Sequence, residues 1–381
     1  MKKIYWRPSG VSRSMMLMMS ALAIVGMIAV ESFKTKNRQR MYDEKLKAAQ
    51  LMSQSMSALA ERRAAVAGHI DLEDDPTRSG MIGALMSDIT STSGHLQAKQ
   101  TTVNPNWAAV MVDLYRRAKL KAGDTIAVGL SGSFPALNLA TYAAAEAMEL
   151  KVVSITGVSS SMWGANLPEF TWLDMERHLL DRKILRTRSV AATLGGVGDN
   201  ARGVSPKGRA LLKAAVERSG LPLITSKSED EGLEERMEIY RRSANGAEIK
   251  AYVNVGGNTL SVGSLVGKRL YSEGLNLHPS AGALSVDCVM TRFAKEDIPV
   301  IHMIRVDQLA ERYGLPLAPR VMPKAGEGTI FLKAEYNISL VVGVIAALLG
   351  LLYVFMKSDV GYRIFHSGDL KEGAKPPAPM V

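Results

Sequence analysis

The chain reads as an α/β protein: a doubly wound, mostly parallel sheet with helices on both faces, flanked by an N-terminal and a C-terminal transmembrane helix. Three observations predict this. Short apolar runs such as TIAVGL (125–130), KVVSITGV (151–158) and KAYVNV (250–255) alternate with longer segments of helical composition, the rhythm of βα units on a parallel sheet. About 300 residues lie between the two ends, enough for a domain with its own hydrophobic core. Near each end stands an uncharged apolar stretch, SMMLMMSALAIVGMIAV (14–30) and YNISLVVGVIAALLGLLYVFM (336–356).

The second stretch would rise about 30 Å as a helix, the thickness of a bilayer core. Its alternative is a buried core helix, against which its length and lack of charge weigh. The first stretch is at the short limit for a span, and its basic flank of Lys2, Lys3, Arg7 and Arg13 also fits a secretory signal peptide. No clean cleavage site follows, because Ala29-Val30-Glu31 leads into Phe33 and a basic segment, so an uncleaved signal anchor is expected. Lysines and arginines flank both sides of each stretch and do not set its direction. The signal-anchor likeness points to an inner or plasma membrane protein with both termini cytoplasmic and residues 31–335 outside; the inverted topology stays open.

The remaining elements follow in order. Residues 1–33 form the basic flank and first span, and 34–103 a membrane-proximal helix and linker. Segment 34–67 has no Gly or Pro and is rich in helix formers, and its apolar positions serve a partner helix or the chain's own domain. Asp71, Glu73, Asp74 and Asp75 make an acidic turn without the spacing of a calcium loop, and 81–89 is expected to be a short helix. The α/β domain spans 104–320. Helices are predicted at 104–122 behind an Asn-Pro start, 135–150, 171–185, 206–219, 229–242, 285–295 and 306–313. Strands are predicted at 125–130, 151–158, 190–194, 221–225, 250–255 and 299–304. A linker (321–335), the second span (336–356) and a tail (357–381) complete the chain.

A formal net charge of +10 suits anionic lipid or a polyanionic substrate. It does not make a nucleic-acid binder, since zinc-finger spacing and basic stripes interleaved with aromatics are absent. The single cysteine, Cys288, excludes an intrachain disulfide.

In open α/β sheets ligands gather at the carboxyl ends of strands, where helix N-termini offer backbone N–H groups to anions. The richest such place is Gly129-Leu130-Ser131-Gly132-Ser133-Phe134-Pro135, with Asn138 one turn into the helix. It departs from the esterase elbow Gly-x-Ser-x-Gly because Ser133 stands where the last glycine belongs. A serine hydrolase would use Ser131 or Ser133 with His278 or His302 as base and Asp287 as orienter. The loop matches neither a dinucleotide fingerprint nor a Walker loop, and no cofactor is implied.

A second polar loop follows residue 255: Asn254, Gly256, Gly257, Asn258 and Thr259, with Lys268 and Arg269 beyond it. Glycines there permit close backbone approach, asparagines offer both donors and acceptors, and the lysine can pair with a carboxylate. Two tight turns and solvated cations account for the same residues. The loop GVSSSMWG (157–164) adds Ser159, Ser160, Ser161 and Trp163, and another holds Gly195, Gly196, Gly198, Asp199, Asn200 and Arg202. Asp174 and His178 lie four apart on one helix face, but no third ligand has diagnostic spacing and no metal is assigned.

Taken together, MKKIYWRPSG, the early apolar stretch, TIAVGLSGSFPALN, VVSITGVSSSMWGAN, TWLDME, YVNVGGN and the closing apolar stretch resemble the poly-gamma-glutamate system protein family. The resemblance runs over most of the chain but carries no established residue roles. It implies a membrane-anchored accessory protein of a bacterial system for poly-gamma-glutamate synthesis and export, which would bind the anionic polymer or assemble with other subunits of the synthase. The alternative is a serine-dependent hydrolase or transferase acting on the gamma-glutamyl amide.

Overall fold

The computed structural model describes residues 13–68, 70–263 and 267–357, with no side chains described for 13–15 and 355–357. It divides into two compact units, one formed by the ends of the chain and one spanning Arg38–Leu332. In the first unit the apolar stretches form helices α1 (Arg13–Ser32) and α14 (Ile338–Lys357). The Val344 side chain sits where Gly26 lacks a Cβ. Strands β1 (Thr35–Arg38) and β10 (Leu332–Glu335) pair beside them.

The expected pair of transmembrane helices is corrected by this structure. Among the described residues, no helix is long and apolar enough to cross a membrane. A bilayer core takes about 20 consecutive apolar residues, whereas α1 includes Arg13 and Glu31 and α14 includes Lys357. The bilayer as a partner, the membrane location with both termini cytoplasmic, and the membrane-anchored accessory role all rested on those two spans and are corrected with them.

The second unit carries a six-stranded sheet. Its strands are β3 (Thr125–Ser131), β4 (Lys151–Gly157), β6 (Ala191–Thr193), β7 (Ile249–Val255), β8 (Gly274–Asn276) and β9 (Val300–Met303), in the order β6-β4-β3-β7-β9-β8. All neighbours run parallel except β8, which pairs antiparallel with β9. Both faces are covered, so the strands read as continuous apolar runs. Ile126, Val128 and Leu130 enter one core cluster, and Ala127 enters the other.

Helices α2 (Tyr42–Ala67), α4 (Trp107–Arg117), α5 (Pro135–Ala147), α6 (Trp172–Asp181) and α7 (Pro206–Ser219) belong to the first face; α8 (Glu229–Ser243) and α12 (Val289–Lys295) belong to the second. The helix of segment 34–67 packs on its own domain: Ala48, Met52, Met56 and Leu59 are buried in the same cluster as Trp107 and Met111. Segment 81–89 is not helical. Asn166 captures its backbone instead, accepting from the Ala84 N–H at 2.9 Å and donating to the Ala84 carbonyl at 2.7 Å. Segment 221–225 contributes only a bridge from Leu223 to Ala192.

One buried acid gives a stability prediction. Glu176 on α6 accepts hydrogen bonds from Tyr142 Oη (2.9 Å), Ser189 Oγ (2.8 Å) and the Ser189 N–H (3.1 Å), all at Oε1. Burial nevertheless pushes its pKa up to about 7, against those donors. The native state then holds a proton that the unfolded chain has already released, so stability falls as pH rises from about 4.5 to about 7. Glu176→Gln is expected to flatten that slope, worth on the order of 3 kcal/mol, in urea unfolding compared at pH 5 and pH 8.

Candidate active site

Strand order reverses between β3 and β7, and the carboxyl ends there open into the site. The first crossover from β3 goes to β4 on one side, whereas β7 flanks β3 on the other. A crevice at such a switch point is where open α/β sheets bind ligands. Here it is a cavity of about 490 Å³, walled by Ser131, Ser133 and Phe134 after β3, Ser159 and Ser161 after β4, Gly196 and Val197 after β6, and Gly257, Asn258 and Thr259 after β7. Segment 91–99 and Lys268, on the short helix α10 (Gly267–Leu270), complete it.

Hydrogen bonds between loops fix the floor. The Gly132 N–H donates to the Gly157 carbonyl at 2.9 Å, and the Gly132 carbonyl accepts from Ala165 N–H at 2.8 Å and Ser160 Oγ at 3.0 Å. A side chain at Gly132 would place its Cβ 2.6 Å from the Val158 carbonyl oxygen, so the close approach requires glycine. Ser131 Oγ accepts from the Ser133 N–H (3.2 Å), and Ser133 Oγ accepts from the Ser161 N–H (3.0 Å). Strand β5 (Ser160–Ser161) pairs parallel with β2 (Thr90–Thr92), placing Thr92 beside Ser161.

Lys99 on α3 (Leu96–Thr102) enters this polar floor from the other wall. It is 3 % exposed. Its Nζ lies 2.8 Å from Ser161 Oγ, donates to the Ser133 carbonyl, and sits 3.7 Å above the centre of the Phe134 ring. Burial, and secondarily the charge of Lys268, pushes its pKa down to about 7. A neutral amine has two N–H groups and one lone pair, so it can donate to the Ser133 carbonyl while accepting the Ser161 hydroxyl proton.

The structure gathers Ser131, Ser133, Ser159, Gly257, Asn258, Thr259 and Lys268 around one cavity. Others among the expected site residues stand behind it. Asn138 Nδ2 donates to the Ser131 carbonyl at 2.9 Å, and Asn254 Nδ2 donates to the Gly256 carbonyl at 2.7 Å, with Gly256 at φ 85°. Asn258 Nδ2 donates to the Leu130 carbonyl at 2.9 Å, fixing the β7 loop to β3. Gly132 holds the floor as described.

The expected histidine bases lie elsewhere. His302 is fully buried on β9, with Nδ1 3.0 Å from Asn254 Nδ2, and burial pushes its pKa down to about 4. His278 is exposed. Asp287 is held by Arg292 through bonds of 3.1 and 2.8 Å, which lower its pKa, rather than by either histidine. Neither of these two histidines lines the cavity; among the described residues the histidine on its wall is the exposed His95, in segment 91–99.

Sequence reasoning overlooked Lys99 and gave Ser161 no special place among the three serines of its loop. The segment LQAKQTT has no motif that marks its lysine; only tertiary burial does. Among the described residues no group of three or more His, Cys, Asp or Glu is placed to hold a metal ion.

The Gly195–Arg202 loop forms the remaining wall. Gly195, Gly196 and Gly198 have φ of 73°, 71° and 63°, the left-handed region that glycine enters without strain. Asp199 anchors this loop through a buried ion pair with Arg236 of α8, whose Nη2 also donates to Thr193 Oγ1 at 3.1 Å. Burial pushes the Asp199 carboxyl upward, with the Arg236 charge opposing it.

No family model, curated protein or solved structure matches the chain.

Proposed function

We propose that this protein is a serine-dependent acyl hydrolase or transferase, with Ser161 as nucleophile and Lys99 as general base. The observation that carries the reading is the buried Lys99 amine 2.8 Å from Ser161 Oγ, on the wall of a cavity at the carboxyl ends of the strands. A lysine activates a hydroxyl only when its amine is largely neutral near the working pH, and burial supplies that condition here.

As Ser161 Oγ bonds to the acyl carbon, its proton passes to the Lys99 lone pair and the carbonyl π electrons move onto oxygen. Phe134 lies on the cavity wall at the start of α5, so that helix's dipole favours the negative charge that develops. Collapse of the adduct breaks the bond to the leaving nitrogen or oxygen, which takes the proton back from the Lys99 ammonium. Water or an acceptor amine then attacks the acyl-serine with Lys99 again as base, releasing a hydrolysis or transfer product and restoring Ser161.

The resemblance to the poly-gamma-glutamate system makes the gamma-glutamyl amide the first substrate to try. Purified protein incubated with poly-gamma-glutamate and with a panel of simple amides and esters is expected to release acid or transfer product. Ser161→Ala is expected to lower turnover by at least about a hundredfold, while Ser131→Ala retains most of it. Equal activity in wild type and Ser161→Ala would refute the assignment.

A further inference from the structure

Two buried cations elsewhere in the domain, Lys45 and Arg236, have carboxylate partners. Lys45 lies 3.5 Å from Asp113, and Arg236 is paired with Asp199. The cavity breaks this pattern: Lys99 and Lys268 both line it, and none of its lining residues is an aspartate or glutamate. The charge that acts on Lys268 is another cation, Arg269, and Lys268 in turn acts on Lys99. Lys268 faces the cavity without a counter-charge, beside an amine that burial keeps largely neutral, and a bound anion would supply what the protein does not.

Two further observations place that anion. Ser159 is 2 % exposed and lines the cavity, yet its Oγ has no hydrogen-bond partner among the described residues. Buried hydroxyls are normally satisfied, so this one is left for a ligand. Glycines also keep the approach to these groups clear. A Cβ at Gly195 would lie 2.8 Å from Ser159 Oγ, and one at Gly257 would lie 3.0 Å from Lys268 Nζ.

We infer that the cavity takes an acyl substrate bearing a separate oxyanion, a carboxylate or a phosphate, with Lys268 as its specificity-determining cation and the Ser159 hydroxyl as a hydrogen-bond donor to it. This deepens the acyl-transfer reading by naming the substrate class, but the anion site itself can be tested without turnover.

Calorimetric titration of the full chain carrying Ser161→Ala, which cannot form an acyl-serine, separates the two ideas. The probes are inorganic phosphate, N-acetylglycine and its neutral counterpart N-acetylglycinamide. At least one anion is expected to bind clearly tighter than the neutral amide, and the tighter of the two identifies the oxyanion. Adding Lys268→Met should weaken that anion about tenfold or more, as expected for loss of a charge-assisted hydrogen bond, with Lys268→Arg retaining it. Ser159→Ala should weaken it by a smaller factor. Absence of anion binding, or equal binding with Lys268→Met in a protein whose circular dichroism is unchanged, would overturn the inference. Anion binding without turnover in wild type would preserve the anion site and reject acyl transfer; turnover without anion preference would do the reverse.

Discussion

Lys99→Met is expected to lower kcat/KM by about 10²- to 10⁴-fold, the range a positioned general base supplies. Methionine approximates the lysine stem in volume, so loss of the amine, with its contact to the Phe134 ring, is what the variant reports. In wild type, only the neutral amine accepts the Ser161 proton. The rate should therefore rise about tenfold per pH unit below about 7 and level off above it. Lys99→Arg should lose the ascending limb, because guanidinium stays charged throughout.

Stability should move the other way. Lys99 has a depressed pKa in the folded protein, so between about 7 and its ordinary value of 10.5 the unfolded chain binds more protons and wild-type stability rises with pH. Below that window wild type bears the cost of the buried amine, and Lys99→Met relieves it. A variant that is more stable at pH 7 yet catalytically impaired is the signature of a residue kept for chemistry.

Arg236→Met is the second large effect, with an expected cost of about 3 to 5 kcal/mol, because it leaves the Asp199 carboxylate buried and unpaired. Both groups are at least nine-tenths buried. Arg236 Nε and Nη1 and Asp199 Oδ1 already lack hydrogen-bond partners among the described residues, so the pair has little to fall back on when one member goes. The double variant Arg236→Met, Asp199→Leu should recover most of the loss, since it buries no lone charge. The urea midpoint measures both. Because Asp199 holds the loop that carries Gly196 and Val197 to the cavity, the single variant should also raise KM more than it lowers kcat.

The sheet was legible because its strands are buried on both faces and bounded by punctuation. Thr125–Ser131 and Lys151–Gly157 are apolar runs closed by glycine or serine, and Pro135 and Pro206 mark helix starts. Strand β8 escaped notice because Gly-Leu-Asn at an antiparallel edge has neither an apolar run nor alternation. Segment 81–89 looked helical, but its backbone partner is Asn166, far along the chain and invisible to local propensity.

The two polar glycine loops after β3 and β7 were readable as candidates, and Asn258 bonded to Leu130 joins them in space. The chemistry between them was not. A lysine in LQAKQTT reads as solvated until the fold seals it under Phe134, and Ser161 resembles Ser159 and Ser160 until one of the three meets that amine.

The most direct test is the covalent state of Ser161. Protein treated with a fluorophosphonate at pH 8 should gain one adduct mass, mapped by peptide sequencing to Ser161, and the adduct should vanish in Ser161→Ala and form far more slowly in Lys99→Met. An adduct on Ser131 or Ser133, or equal labelling of wild type and Lys99→Met, would contradict the account.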